Sequence, residues 1–166
     1  MQAVNGVGST SEPMKILETR RLILRRLQAD DLDDLFALYR DPEIRRYFPE
    51  GTLTYEETKE ELEWFLNGHP DHPELGLWAT VQKQTDQFIG RCGLLPWTIE
   101  QRPEVEVAYL LGREFRGQGL ATEAARATTA LLDEFVAGAW PITWETCRRL
   151  SLGTRAQAGV PCSLDP

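Results

Sequence analysis

The stretch "VEVAYLLGREFRGQGLATEA", beginning at Val105, alternates apolar residues, passes through two glycines one residue apart, and continues into residues at helical spacing. A strand that delivers into a glycine turn and then a helix constrains the chain more than any other part of it. The first helical turn leaves backbone N–H groups without acceptors, glycine lets the backbone approach a ligand closely, and the helix dipole favours negative charge there. Arg116, with Arg113 nearby, adds positive charge, so the expected ligand is a phosphate or pyrophosphate. After the turn, Leu120, Ala124, Thr128, Leu131, Leu132 and Phe135 keep helical spacing, and Gly138 with Pro141 closes the helix.

Several readings compete for this turn. A Walker A loop needs G-x-x-x-x-G-K-[ST], and neither the spacing nor the lysine is present. A dinucleotide fingerprint needs a third glycine where Thr122 stands and an acidic ribose partner about 20 residues on, and the strands before it should be βαβ units rather than hairpins. A plain tight turn before a core helix is the remaining alternative, if these residues are taken alone.

Elsewhere the pattern is regular. "RLILRRL", Arg21 to Leu27, reads as the first strand. Asp30 or Asp31 caps a helix whose Leu32, Leu35, Phe36 and Tyr39 share one face, ending before Asp41-Pro42. Thr54 and Glu57 form a capping box for a second helix with Tyr55, Thr58, Leu62, Phe65 and Leu66 on its periodic face, stopped by Gly68. "LWATVQK" and "FIGRCGLLPW" form a hairpin about "QTDQ", "TIEQRPE" is a turn or loop, and "VEVAYLLG" is a further antiparallel strand. The acidic runs "DDLDD" and "EETKEELE" read as helix-start carboxylates on a solvated face, and His69 and His72 lie in a proline-rich loop without metal-ligand geometry, so no metal is expected.

With 166 residues the chain has room for one domain with a sizeable core. Its formal charge of −8 argues against nucleic acid as a partner and suits a cationic or amine substrate. Cys92, Cys147 and Cys162 have neither disulfide-framework nor zinc spacing and read as free thiols in a reducing compartment. No apolar run is long enough to cross a membrane as a helix, so a cytoplasmic protein is expected. Residues 1–13 read as a disordered tail with Met14 as the more natural start, 14–137 as the domain, and 138–166 as an atypical tail.

Arg116-x-x-Gly119-x-Ala121 matches the [QR]-x-x-G-x-[GA] pattern of the coenzyme A pyrophosphate loop in the GNAT N-acetyltransferases. "EVEVAYLLGREF" resembles that family's fourth strand. "ETRRLILRRLQADDLDDLFALYRDPEIRRYF" resembles the opening of its RimJ/RimL-like branch, which acetylates protein N-terminal amines. The resemblance implies a mixed α/β fold with a mostly antiparallel central sheet and flanking helices. It implies that Tyr109, Leu110 and Leu111 hold the pantetheine arm through their backbone. Arg116, Gly117, Gln118, Gly119, Leu120, Ala121 and Thr122 would then cradle the pyrophosphate, with the Gln118 side chain facing solvent. The acetyl group of acetyl-CoA lies beside Val107 and Ala108 in that arrangement, and Glu106 is the expected base. The alternative for Glu106 is a surface residue alternating with buried Val105 and Val107.

The last part of the chain departs from the family pattern. Relatives follow the long helix with a strand, a segment containing Asn and a helix whose Tyr faces the coenzyme sulfur, whereas here the last Tyr is Tyr109 and the last Asn is Asn67. A shifted or truncated reading frame shortly after Phe135 is the favoured explanation, and a divergent branch closing its sheet differently is the other. Loss of those elements would leave apolar surface uncovered and favour self-association, with a homodimer as the simplest form. The expected activity is acetyl-CoA-dependent acetylation of a primary amine, on a protein N-terminus or a small molecule. A non-catalytic coenzyme A-binding remnant of the same fold is the alternative.

Overall fold

The computed structural model describes residues 13–139, with side chains described to residue 134. The elements are β1 (Lys15–Glu18), β2 (Leu22–Arg26), α1 (Leu32–Tyr39), α2 (Tyr55–Asn67), β3 (Gly76–Gln82), β4 (Gln87–Ile99), β5 (Arg102–Leu111) and α3 (Leu120–Ala139). The strands form one sheet in the order β1-β2-β3-β4-β5, with every neighbouring pair antiparallel. This is the mixed α/β architecture with an antiparallel central sheet that the sequence led us to expect. The expected C-terminal tail, including Cys147 and Cys162, lies outside the described residues, as does nearly all of the leading tail.

Each face of the sheet carries its own core. Leu22, Leu24, Trp78, Cys92, Leu94, Val105 and Leu111 pack with Leu120, Ala124 and Leu132 of α3. Leu77, Ala79, Ala108 and Leu110 pack on the other face with Leu35, Leu38 and Tyr39 of α1 and Leu62 of α2. Being covered on both faces explains why β3 reads as a continuous buried run rather than an alternating one. Burial also pushes the Cys92 thiol up to about 11, leaving it protonated and unreactive at neutral pH. Within the helix-pair layer, the Tyr39 hydroxyl donates to Glu61 Oε1 at 2.6 Å. The guanidinium groups of Arg45 and Arg91 lie 5.1 Å and 5.3 Å from the Tyr39 ring centroid.

Three local expectations are corrected. A strand precedes the expected first one: β1 is only four residues long and pairs with β2 through an irregular register, so "KILE" has too little alternation to announce itself. Of the turn or loop expected over "TIEQRPE" the turn is present but far shorter, because β4 continues to Ile99 and β5 starts at Arg102. Only Glu100 and Gln101 turn the chain, with φ of 50° and 64°. Two consecutive left-handed residues suit the twist of a hairpin, yet Glu-Gln lacks the Asn-Gly signature that would reveal it. Asp31 is not a solvated cap. It is 5% exposed, it accepts from the Gln28 N–H at 2.8 Å, and it takes two bonds from the Arg25 guanidinium at 2.8 Å and 2.7 Å.

The capping box of α2 is present as expected, with the Thr54 and Glu57 side chains each accepting from the other's backbone N–H. Thr58 and Leu62 face the core, while Tyr55 and Leu66 at the edges of the expected stripe are exposed. The helix α3 runs through Gly138 to Ala139, and Pro141 lies outside the described residues. Among the described residues no helix is long and apolar enough to cross a membrane.

Gly93 tests the sheet spacing directly. A Cβ there would sit 2.0 Å from the Gly76 carbonyl oxygen and 2.9 Å from Leu77 Cα, both in the backbone of β3. Gly93→Ala is therefore expected to destabilise the fold by about 2–3 kcal/mol, since backbone cannot move aside as a flexible side chain can. That corresponds to a melting temperature lower by roughly 5–10 °C, read by circular dichroism. An unchanged melting curve would contradict the β3–β4 register.

Candidate active site

The strand β5 lies at the edge of the described sheet and pairs on one side only, with β4. Its residues alternate between the two cores: Val105, Val107 and Leu111 go to the α3 face, and Ala108 and Leu110 to the helix-pair face. Period two places Glu106 on the helix-pair face with Ala108. Glu106 is half-buried, and its Oε2 accepts from Trp97 Nε1 at 2.9 Å. The indole comes from β4, where Trp97 lies opposite Glu104 and Leu95 opposite Glu106. This contact holds the carboxylate against the indole, while part of the side chain remains open to solvent. Tyr109, expected to act through its backbone, is about half exposed, whereas Leu110 and Leu111 are buried on opposite faces.

Beyond Leu111 the chain passes through a 3₁₀ turn at Arg113–Phe115 and reaches the glycine turn. Gly117 and Gly119 both have φ of 73°, in the left-handed region that favours glycine. The Glu123 N–H bonds to the Gly119 carbonyl at 3.0 Å, the first turn of α3. The N–H groups of Leu120, Ala121 and Thr122 thus precede the first N–H bonded within the helix and constitute the donor face of the helix start. Arg116, Gly117, Gln118 and Gly119 are exposed. The Arg116 N–H donates to the Arg113 carbonyl at 3.2 Å and its guanidinium makes no hydrogen bond among the described residues, while Arg113 Nη1 lies 3.9 Å from Asp41 Oδ2. The Gln118 side chain lies at the surface, where its amide donates to the Glu114 carbonyl at 2.9 Å.

One connection was invisible in the sequence. The Glu123 carboxylate accepts from Thr19 Oγ1 at 2.7 Å, from the Arg21 N–H at 2.9 Å and from Arg21 Nε at 2.7 Å. Arg21 Nη1 in turn donates to the Gln118 carbonyl at 2.9 Å. Partial burial works to raise the Glu123 carboxyl. The bonds from Thr19 and Arg21 and the adjacent guanidinium charge outweigh it and hold the group at about 2. The β1–β2 turn is thereby fastened to the beginning of α3, across about a hundred residues of sequence.

The structure thus brings together a one-sided strand, a half-buried carboxylate on it, a glycine turn with open N–H groups, and an exposed arginine. Residues 21–150 match the family described as the acetyltransferase (GNAT) domain. The protein YkkB of Bacillus subtilis is 34% identical over 112 residues, covering 67% of this chain and 64% of that protein. The chain therefore spans somewhat under two thirds of the length of this relative. A GNAT-family acetyltransferase from Bacillus anthracis has a similar fold, with a TM-score of 0.61 at 16% identity over 81% of this chain and 80% of that one. The ribosomal L7/L12 alpha-N-protein acetyltransferase RimL, solved in complex with coenzyme A, has a TM-score of 0.54 at 16% identity. There the match covers 74% of this chain and 67% of that one.

Proposed function

Because the chain belongs to the acetyltransferase (GNAT) family, we propose that it transfers the acetyl group of acetyl-CoA to a primary amine, on a protein N-terminus or a small molecule. The observation that carries this reading is the junction of β5 and α3, where a strand paired on one side leads into a turn whose glycines and open N–H groups suit a pyrophosphate. Coenzyme A is bound by the structural relative RimL, which supports the choice of ligand.

In this reading the pyrophosphate rests on residues 116–122, with Arg116 supplying charge. The pantetheine arm follows the edge of β5 that has no partner strand among the described residues, along Tyr109, Leu110 and Leu111, which leaves the thioester beside Val107 and Ala108. The acceptor enters on the helix-pair face, where Glu106 lies. An alkyl amine with a pKa near about 10.4 is almost wholly protonated at neutral pH, so a proton must leave before attack. Glu106, oriented by Trp97, takes it directly or through water. The amine nitrogen then bonds to the thioester carbonyl carbon, backbone N–H groups of β5 stabilise the oxyanion, and the carbon–sulfur bond breaks as the nitrogen's surplus proton passes to the departing thiolate, giving the amide and the coenzyme A thiol.

Titration calorimetry of the full chain with coenzyme A tests the binding half. One site in roughly the micromolar range is expected, about −8 kcal/mol, with much weaker binding of pantetheine, which lacks the phosphates. Equal affinity for the two compounds would contradict the phosphate assignment.

A further inference from the structure

The start of α3 poses an electrostatic problem. A helix that receives an anion at its N-terminus should not also present a free carboxylate in its first turn, yet Glu123 stands there, charged at every working pH. The Glu123 side chain turns away from the helix start toward Thr19 and Arg21, and Arg21 Nε meets its Oε2 at 2.7 Å. The cation thus cancels the carboxylate where it would oppose a phosphate.

The same guanidinium acts on the loop. Arg21 Nη1 holds the Gln118 carbonyl oxygen at 2.9 Å. In a trans peptide the C=O and the following N–H point in opposite directions, so fixing this carbonyl toward the β1–β2 turn aims the Gly119 N–H the other way. Gly119 itself packs under Arg21, since a Cβ added to it would lie 3.7 Å from Arg21 Nη2.

We propose that Arg21 and Glu123 are positioning residues for the phosphate loop: Arg21 orients the Gly119 N–H toward the coenzyme and masks the Glu123 charge from it. This rests on the coenzyme A reading of the loop, and it adds to that reading two residues that never touch the ligand.

The test is calorimetry with coenzyme A and with pantetheine on wild type, Arg21→Met, Glu123→Gln and the double variant, at low and high salt. Arg21→Met is expected to bind coenzyme A about tenfold more weakly and pantetheine as wild type does, because only the phosphates sense the loop and the exposed carboxylate. Its defect should shrink as salt rises, and adding Glu123→Gln should recover several-fold of the loss, the signature of an unmasked charge. Arg21→Lys, which keeps the charge and disturbs the fold least, should retain most of the affinity and serves if Arg21→Met does not fold. Coenzyme A affinity unchanged in both Arg21 variants would overturn the proposal, as would equal losses for both ligands or losses that add without recovery in the double variant. Wild type that binds no coenzyme A would overturn the loop assignment and this proposal with it.

Discussion

Gly119→Asp should lower the affinity for coenzyme A by at least about 100-fold while leaving the melting temperature within a few degrees of wild type. The separation of the two effects follows from the place of Gly119. Its carbonyl accepts the first intrahelical bond of α3, so it occupies the N-cap position, where Asp is among the favoured residues. An aspartate there costs about 1 kcal/mol for the left-handed φ of 73°, which Asp tolerates better than most residues. Its Cβ would lie 3.7 Å from Arg21 Nη2, so the carboxylate adds a negative charge where the ligand's own charge must sit and competes for the guanidinium that faces Glu123. Pantetheine binding should be unaffected. Retained coenzyme A affinity in this variant would contradict the assignment of residues 116–122.

Glu106→Gln is the second large effect. A glutamine keeps the size of the side chain and an oxygen that accepts from Trp97 Nε1, so the local geometry is preserved while the base is lost. The rate of acetyl transfer at neutral pH is expected to fall by about 10²–10³-fold, the usual range for removing a positioned general base, with coenzyme A affinity unchanged. The defect should narrow toward alkaline pH, because the free-amine fraction of the acceptor rises about tenfold per pH unit below its own pKa. An unchanged rate and an unchanged pH profile would remove Glu106 from the mechanism.

What the sequence revealed and what it concealed divide along the range of the interactions. The capping box at Thr54 and Glu57, the periodicity of α3 and the glycines at 117 and 119 are local signals, written within a few consecutive residues, and each appears in the structure where it was expected. The pairing of Arg25 with Asp31 lies only six residues apart, but an acidic run at a helix start has an equally good solvated reading, and only burial distinguishes them. The Arg21–Glu123 connection has no local signature at all, because it depends on the sheet order that carries the β1–β2 turn under α3. Trp97 as the partner of Glu106 was concealed for a related reason. It stands in a stretch that reads as the end of a strand and the start of a loop, and the tight turn at Glu100 and Gln101 is what folds it back beside β5.

The proposed chemistry is tested most directly by incubating the full chain with acetyl-CoA and a panel of primary amines, including peptides with free N-termini and small polyamines, and following release of the coenzyme A thiol. The account predicts that at least one amine accelerates thiol release well above the hydrolysis background, with an acetylated amine formed in equal amount, and that Glu106→Gln suppresses the acceleration. Saturable coenzyme A binding with no amine in the panel accelerating release would contradict it, and would mark the chain as a coenzyme-binding member of the fold that does not catalyse transfer.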